Sequence, residues 1–122
     1  METQEEHMYF FVWRTLKNNH EAMMQICKQA RKMHGKYCER LEFFQLGSTE
    51  TFEGFNSIAK TVSSSQDEEV WLELVYFRDR KHHDEVVASM LKDKSAGQTF
   101  KQFMDLISPG SCIEGRFNRL II

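Results

Sequence analysis

The stretch Glu69-Val70-Trp71-Leu72-Glu73-Leu74-Val75-Tyr76-Phe77 decides how the chain reads. It is short, β-branched and aromatic, and polar residues bound it on both sides, which are the marks of a strand. By alternation Trp71, Glu73, Val75 and Phe77 share one face. The opposite face is apolar as well, so the strand needs cover on both sides. Asp79 follows at once and is placed to cap a helix running to about Lys92, with Val86, Val87, Met90 and Leu91 predicted to point inward.

Upstream, Met8 to Arg14 repeats the strand pattern, with Met8, Phe10 and Val12 on one face and Tyr9, Phe11 and Trp13 on the other. From about Asn19 to Lys36 the period lengthens. Met23, Ile26, Cys27, Ala30, Met33 and Tyr37 recur at steps of three and four, an amphipathic helix that Gly35 is placed to end. Tyr37 to Leu46 returns to strand character. The 47–67 stretch is predicted to be a long loop holding one short helical turn, with Phe52, Phe55, Ile58 and Ala59 packed on the body, and a mobile tip at 63–67.

Downstream, Phe100, Phe103, Met104 and Ile107 predict a short extra helix over about 98–107, stopped by Ser108-Pro109-Gly110. In the last strand, Cys112 to Ile122, the residues Ile113, Gly115 and Phe117, with Ile121, are read as facing the body. Glu114, Arg116 and Asn118 alternate with them.

The order β-α-β-loop-β-α-β within residues 1–122 predicts one α+β domain of ferredoxin-like topology: a four-stranded antiparallel sheet with helices on one face. Tyr9, Phe11, Trp13, Trp71, Val75 and Phe77 are then read as the uncovered set. Leaving so many aromatics in water exposes an apolar patch larger than monomers show, so a homodimer joined sheet face to sheet face is expected.

Sixteen Lys and Arg against eighteen Asp and Glu leave a net charge of −2 in 122 residues, without the basic excess of a nucleic-acid or anionic-membrane binder. The N-terminal METQEEH is acidic where a signal peptide is basic and then apolar, and Cys27, Cys38 and Cys112 have no metal-type spacing. A cytoplasmic, reduced protein is expected, with no nucleic-acid or membrane partner.

The run Glu69 to Tyr76, followed by Asp79-Arg80-Lys81-His82-His83-Asp84-Glu85-Val86 and Lys92-Asp93, resembles the YbaA-like family of small proteins of unknown function. His34-Gly35, Phe55, Lys60, and Gly115 with Phe117 extend the likeness over nearly the whole chain. The resemblance implies membership of the dimeric α/β-barrel superfamily, in which two ferredoxin-like subunits join their sheets. That superfamily includes cofactor-free monooxygenases, isomerase-like enzymes, haem enzymes and stress proteins, so the fold assigns no chemistry. The chain departs from the family pattern at Glu73, where an aromatic is usual, and at Lys94, where a proline is common.

Glu73 is the strongest candidate for chemistry. A carboxylate among aromatics is desolvated, which raises its pKa and suits it to general acid or base work; alternatively it is a structural partner of Arg116 or Arg40. Trp71, Glu73, Glu114 and Arg116 are the candidate ligand-binding residues, though the row Glu114, Arg116, Asn118 also reads as a solvated face or dimer seam. His34 is a second candidate base, equally explained by its place in the last turn of a helix. His82 and His83 are adjacent on a helix and diverge by about 100°, so no metal site is expected there.

No nucleotide-binding, nucleophile-elbow or zincin motif occurs in the sequence, and no cofactor is expected. The leading expectation is a homodimer binding a small organic molecule in the barrel interior. One alternative is a cofactor-independent monooxygenase or isomerase using Glu73 or His34 as base and Arg116 as anion partner. The other is a purely structural or partner-binding dimer.

Overall fold

The computed structural model describes residues 7–34 and 38–122, without the His34 side chain. The predicted helix stop at Gly35, the contribution of Tyr37 and the N-terminal METQEE therefore lie outside the described residues. Strand β1 (His7–Leu16) leads through a short turn into helix α1 (His20–His34) and strand β2 (Arg40–Gln45). A short helix α2 (Ile58–Thr61) interrupts the long connection to strand β3 (Glu68–Phe77). Helices α3 (Arg80–Met90) and α4 (Lys94–Leu106) then precede strand β4 (Ile113–Asn118).

The strands pair antiparallel in the order β2-β3-β1-β4, the ferredoxin-like arrangement expected from the element order. Caps explain the helix starts. The Asp79 carboxylate accepts from the His82 backbone N–H at 2.8 Å, and the Asp93 carboxylate accepts from Ser95 and Ala96. The second cap starts α4 at Lys94, four residues before the position that its apolar period suggests. Leu91, predicted to face inward, is the C-terminal cap of α3 and is 83% exposed.

The register places Tyr9 opposite Val75 and Arg116, Phe11 opposite Glu73 and Glu114, and Trp13 opposite Trp71. On β2, Leu41 lies opposite Val75 and Phe43 opposite Glu73. These residues form the face on which α1, α3 and α4 pack. Trp13, Met23, Cys27, Trp71 and Ile107 make one buried cluster, and Tyr9, Leu41, Val75, Phe77 and Val86 make the other.

This reverses the predicted assignment of faces. The aromatic set read as uncovered is the set beneath the helices. Glu114 and Arg116, read as pointing away from the body, point into it, whereas Ile113 and Phe117 lie on the opposite face and are about half exposed. Alternation states which residues share a face, not which face the helices take, and both faces of β1 and β3 were apolar enough for either.

The face without long helices carries Met8, Phe10, Leu72, Leu74 and Tyr76, partly exposed, around the buried Val12 and Val70. At one edge of this face Arg14 forms a 2.7 Å ion pair with Glu68. Burial alone would raise the Glu68 carboxyl. Hydrogen bonds from the Ser108 hydroxyl, the Ser65 backbone and Arg14 outweigh it and hold the group at about 2.

In the long connection, the Ser57 hydroxyl caps α2 by accepting from the Lys60 backbone N–H. Phe52 and Phe55 do not pack on the body as predicted: they are 80% and 69% exposed and touch each other edge to face.

Candidate functional site

Between the helix-covered face of the sheet and helices α1, α3 and α4 lies a cavity of about 560 Å³. That size falls within the range of small-molecule sites. Phe11, Phe43, Val75 and Phe77 of the sheet form its floor, with Ile26, Cys27 and Met33 of α1, Val86 and Met90 of α3, and Phe103 of α4 as walls. Val87, Phe100, Met104, Glu114 and Arg116, which are exposed although they line the cavity, mark its mouth along the β4 edge. Thr99 of α4 donates to the Met33 thioether of α1 at 4.0 Å, tying two walls together.

Glu73 sits in the floor. The sheet register sets Phe43 on one side of it and Phe11 on the other, with Glu114 beyond Phe11 in the same row. Adjacent strands are about 4.8 Å apart, so the backbones of Glu73 and Glu114 are separated by about 10 Å. No described residue gives Glu73 a hydrogen bond or an ion pair. Desolvation raises its carboxyl to about 7, where protonated and ionised forms coexist at neutral pH.

Neither structural partner suggested by the sequence is engaged with Glu73. Arg40 pairs with Glu42 at 2.9 Å and lies over the Tyr76 ring on the other face. Arg116 lies over the Tyr9 ring, 5.0 Å from its centroid.

Of the candidate binding residues, Glu73, Glu114 and Arg116 come together around this cavity. Trp71 does not line it. It is 3% exposed, stacks on Trp13 at 6.3 Å, and donates its indole N–H to Glu69, which also accepts from Gln45 and lies 2.9 Å from His20. Both the ring and its polar handle serve the core. The His34 side chain lies outside the described residues.

His83 is a lining residue that sequence reading weighed only for a metal site. It is buried, packs on Tyr9 with centroids 4.3 Å apart and rings tilted by 32°, and lies 3.0 Å from the Asp84 carboxylate. A signal was present: His83, Val86, Val87 and Met90 follow the spacing i, i+3, i+4, i+7, which puts His83 on the inward stripe of α3. His82 instead accepts from the Arg78 backbone N–H through its Nδ1. Among the described residues no three His, Cys, Asp or Glu side chains converge on a point suited to a metal ion.

The thiols at the cavity are walls rather than nucleophiles. Burial, with a smaller contribution from Glu73, pushes Cys27 up to about 12. Burial and then the carboxylates of Glu73 and Glu114 raise Cys112 as well, which lowers the thiolate fraction of both. Overall, the arrangement can enclose an apolar molecule and exchange a proton with it, or offer it a charge, at one point in the floor.

The sequence matches no protein-family model, and no curated protein matches it. Solved structures do share its fold. A NipSnap-family protein of unknown function from Agrobacterium tumefaciens superposes with a TM-score of 0.62 at 11% identity, over 97% of this chain and 91% of that one. A conserved protein of unknown function from Bacteroides thetaiotaomicron, described as a possible oxidoreductase, gives 0.58 at 17% identity, over 97% of this chain and all of that one. A protein from Arabidopsis thaliana gives 0.61 at 8% identity, over 94% of this chain and 97% of that one. At such identities the likeness shows the fold and no more. Among the described residues, no helix is long and apolar enough to cross a membrane.

Proposed function

We propose that the protein binds a small organic molecule in the cavity between the sheet and the three long helices, with Glu73 as the group that addresses it. This moves the site from between two sheets, where the sequence reading put it, to within one subunit. The observation that carries the proposal is a cavity of about 560 Å³ with apolar walls and one carboxyl in its floor that no described residue pairs. A structural core does not retain an unpaired buried carboxyl without cost, so a role in addressing a ligand accounts for Glu73 better than packing does.

The test is calorimetric titration with octanol, an uncharged apolar probe. Saturation at one molecule per chain is expected. It should be lost in Thr99→Trp, which fills the cavity from α4 at a partly exposed position. Failure of octanol and of its amine and carboxylate chain analogues alike, or octanol binding to Thr99→Trp equally well, sinks the reading.

A second reading has its own support. A carboxyl held at about 7 is poised for general acid or base catalysis, which fits a cofactor-independent isomerase or monooxygenase. A protein of the same fold from Bacteroides thetaiotaomicron is itself described as a possible oxidoreductase. In this reading Glu73 transfers the proton and Arg116, at the mouth, steadies an anionic group of the substrate.

We further propose that a second copy of the chain covers the sheet face bearing Phe10, Leu72, Leu74 and Phe117, closing a dimeric barrel in the cytoplasm. Apolar side chains on that face are partly exposed in one subunit, and a two-fold contact buries them on both partners at once. Light scattering on a size-exclusion peak should give twice 14.5 kDa. The value of a single chain rejects the dimer.

A further inference from the structure

We infer that the ligand class of this cavity is an organic monoamine, an apolar body carrying one ammonium group that pairs with Glu73. The inference rests on the proposed binding function and specifies its substrate. The side chains facing the cavity carry an unbalanced charge pattern. The described charged or titratable groups that face it are Tyr9 of β1, Cys27 of α1, Glu73 of β3, His83 of α3, Cys112, and Glu114 and Arg116 of β4; the lining residues of α4 and β2 are uncharged.

The permanent cation in this set, Arg116, lies at the mouth over Tyr9, next to Glu114 in its own strand. Glu73 is in the floor, beyond Phe11 from β4, and has no counterion among the described residues. The floor thus presents one unbalanced carboxyl, and the aromatic rings of Phe11 and Phe43 flank it on the neighbouring strands.

An ammonium group suits such a place on two counts. It supplies the counterion that lets the carboxyl ionise inside an apolar wall. Aromatic faces also attract a cation through their quadrupole, more strongly when water is excluded. An anionic ligand would find Arg116 only at the mouth, where Glu114 also lies, and in the floor would meet Glu73, a group of its own sign. A neutral ligand would supply no counterion and leave the carboxyl largely in its protonated form.

The experiment compares octylamine, octanol and octanoate, which share a chain and differ in head-group charge, by calorimetry on the full chain and on Glu73→Gln. At about pH 8.5, where Glu73 is largely ionised, octylamine should bind roughly tenfold or more tightly than octanol, and octanoate most weakly. At about pH 5.5 the advantage of the amine should shrink to within about threefold, because it must then displace a proton from Glu73. Near pH 7 amine binding should release roughly half a proton, seen as a dependence of the heat on buffer ionisation enthalpy.

Glu73→Gln should bind octylamine and octanol alike at both pH values and release no proton. Because His83 also faces the cavity, this variant separates the titration of Glu73 from that of the histidine. Octanol binding as tightly as octylamine at high pH, or an amine preference that survives in Glu73→Gln, overturns the amine assignment and leaves the binding site standing. No binding by any of the three overturns both.

Discussion

Glu73→Gln is expected to stabilise the protein by about 3 kcal/mol at about pH 8 and to leave it unchanged at about pH 4. The folded protein holds the Glu73 carboxyl at about 7, raised by desolvation from an ordinary value of 4.5. Its protonated form is therefore the one the fold prefers. The stability tied to this group is complete below the unfolded value of 4.5 and falls as pH rises, until the carboxyl has ionised above about 7. At about 1.4 kcal/mol per pH unit, that interval corresponds to the stated difference. Glutamine has nearly the shape of the protonated acid and cannot ionise, so the variant escapes the loss. Urea unfolding of both proteins at a series of pH values provides the measurement, and taking their difference cancels the titration of every other group. A difference that stays flat across the range would mean that Glu73 is solvated or paired, and would remove the physical basis for a ligand at that point.

Trp71→Ala should cost roughly 3–5 kcal/mol, the range for truncating a large buried aromatic without relaxation of its surroundings. The indole is 3% exposed, stacks on Trp13, and packs with Met23 and Cys27 of α1 and Ile107. Its loss also removes the N–H that Glu69 accepts, leaving that carboxylate to His20 and Gln45. Because Trp71 lies outside the cavity lining, its effect should appear in unfolding rather than in the specificity for ligand head group. A change below about 1 kcal/mol would mean that the core about Trp13 is not packed as described.

The element order, the caps at Asp79 and the antiparallel ferredoxin-like sheet were legible in the chain itself. Periodicity and capping act within a few residues of one another and leave their pattern in the sequence. The grouping of Trp71, Glu73, Val75 and Phe77 on one face was equally legible, since side chains alternate along any strand. So was the desolvation of Glu73, because a carboxyl spaced among large apolar residues is desolvated on whichever side it lies. Where local signals were weak, boundaries slipped. Gly97 masks the first turn of α4, and Leu91 continues the apolar count of α3 beyond its last turn.

Only the tertiary structure decided which face the helices cover. Both faces of β1 and β3 are apolar, so burial energy along the strand was nearly indifferent to the choice. The packing of α1, α3 and α4 against Tyr9, Phe11 and Trp13 settled it. That one choice drew Glu114, Arg116 and His83 to the cavity around Glu73 and sent Trp71 into the core. The site joins residues from seven elements spread along the chain, brought together by strand register and helix packing. The chain determined that a carboxyl would be buried among aromatic rings; the fold determined that the burial leaves room beside it.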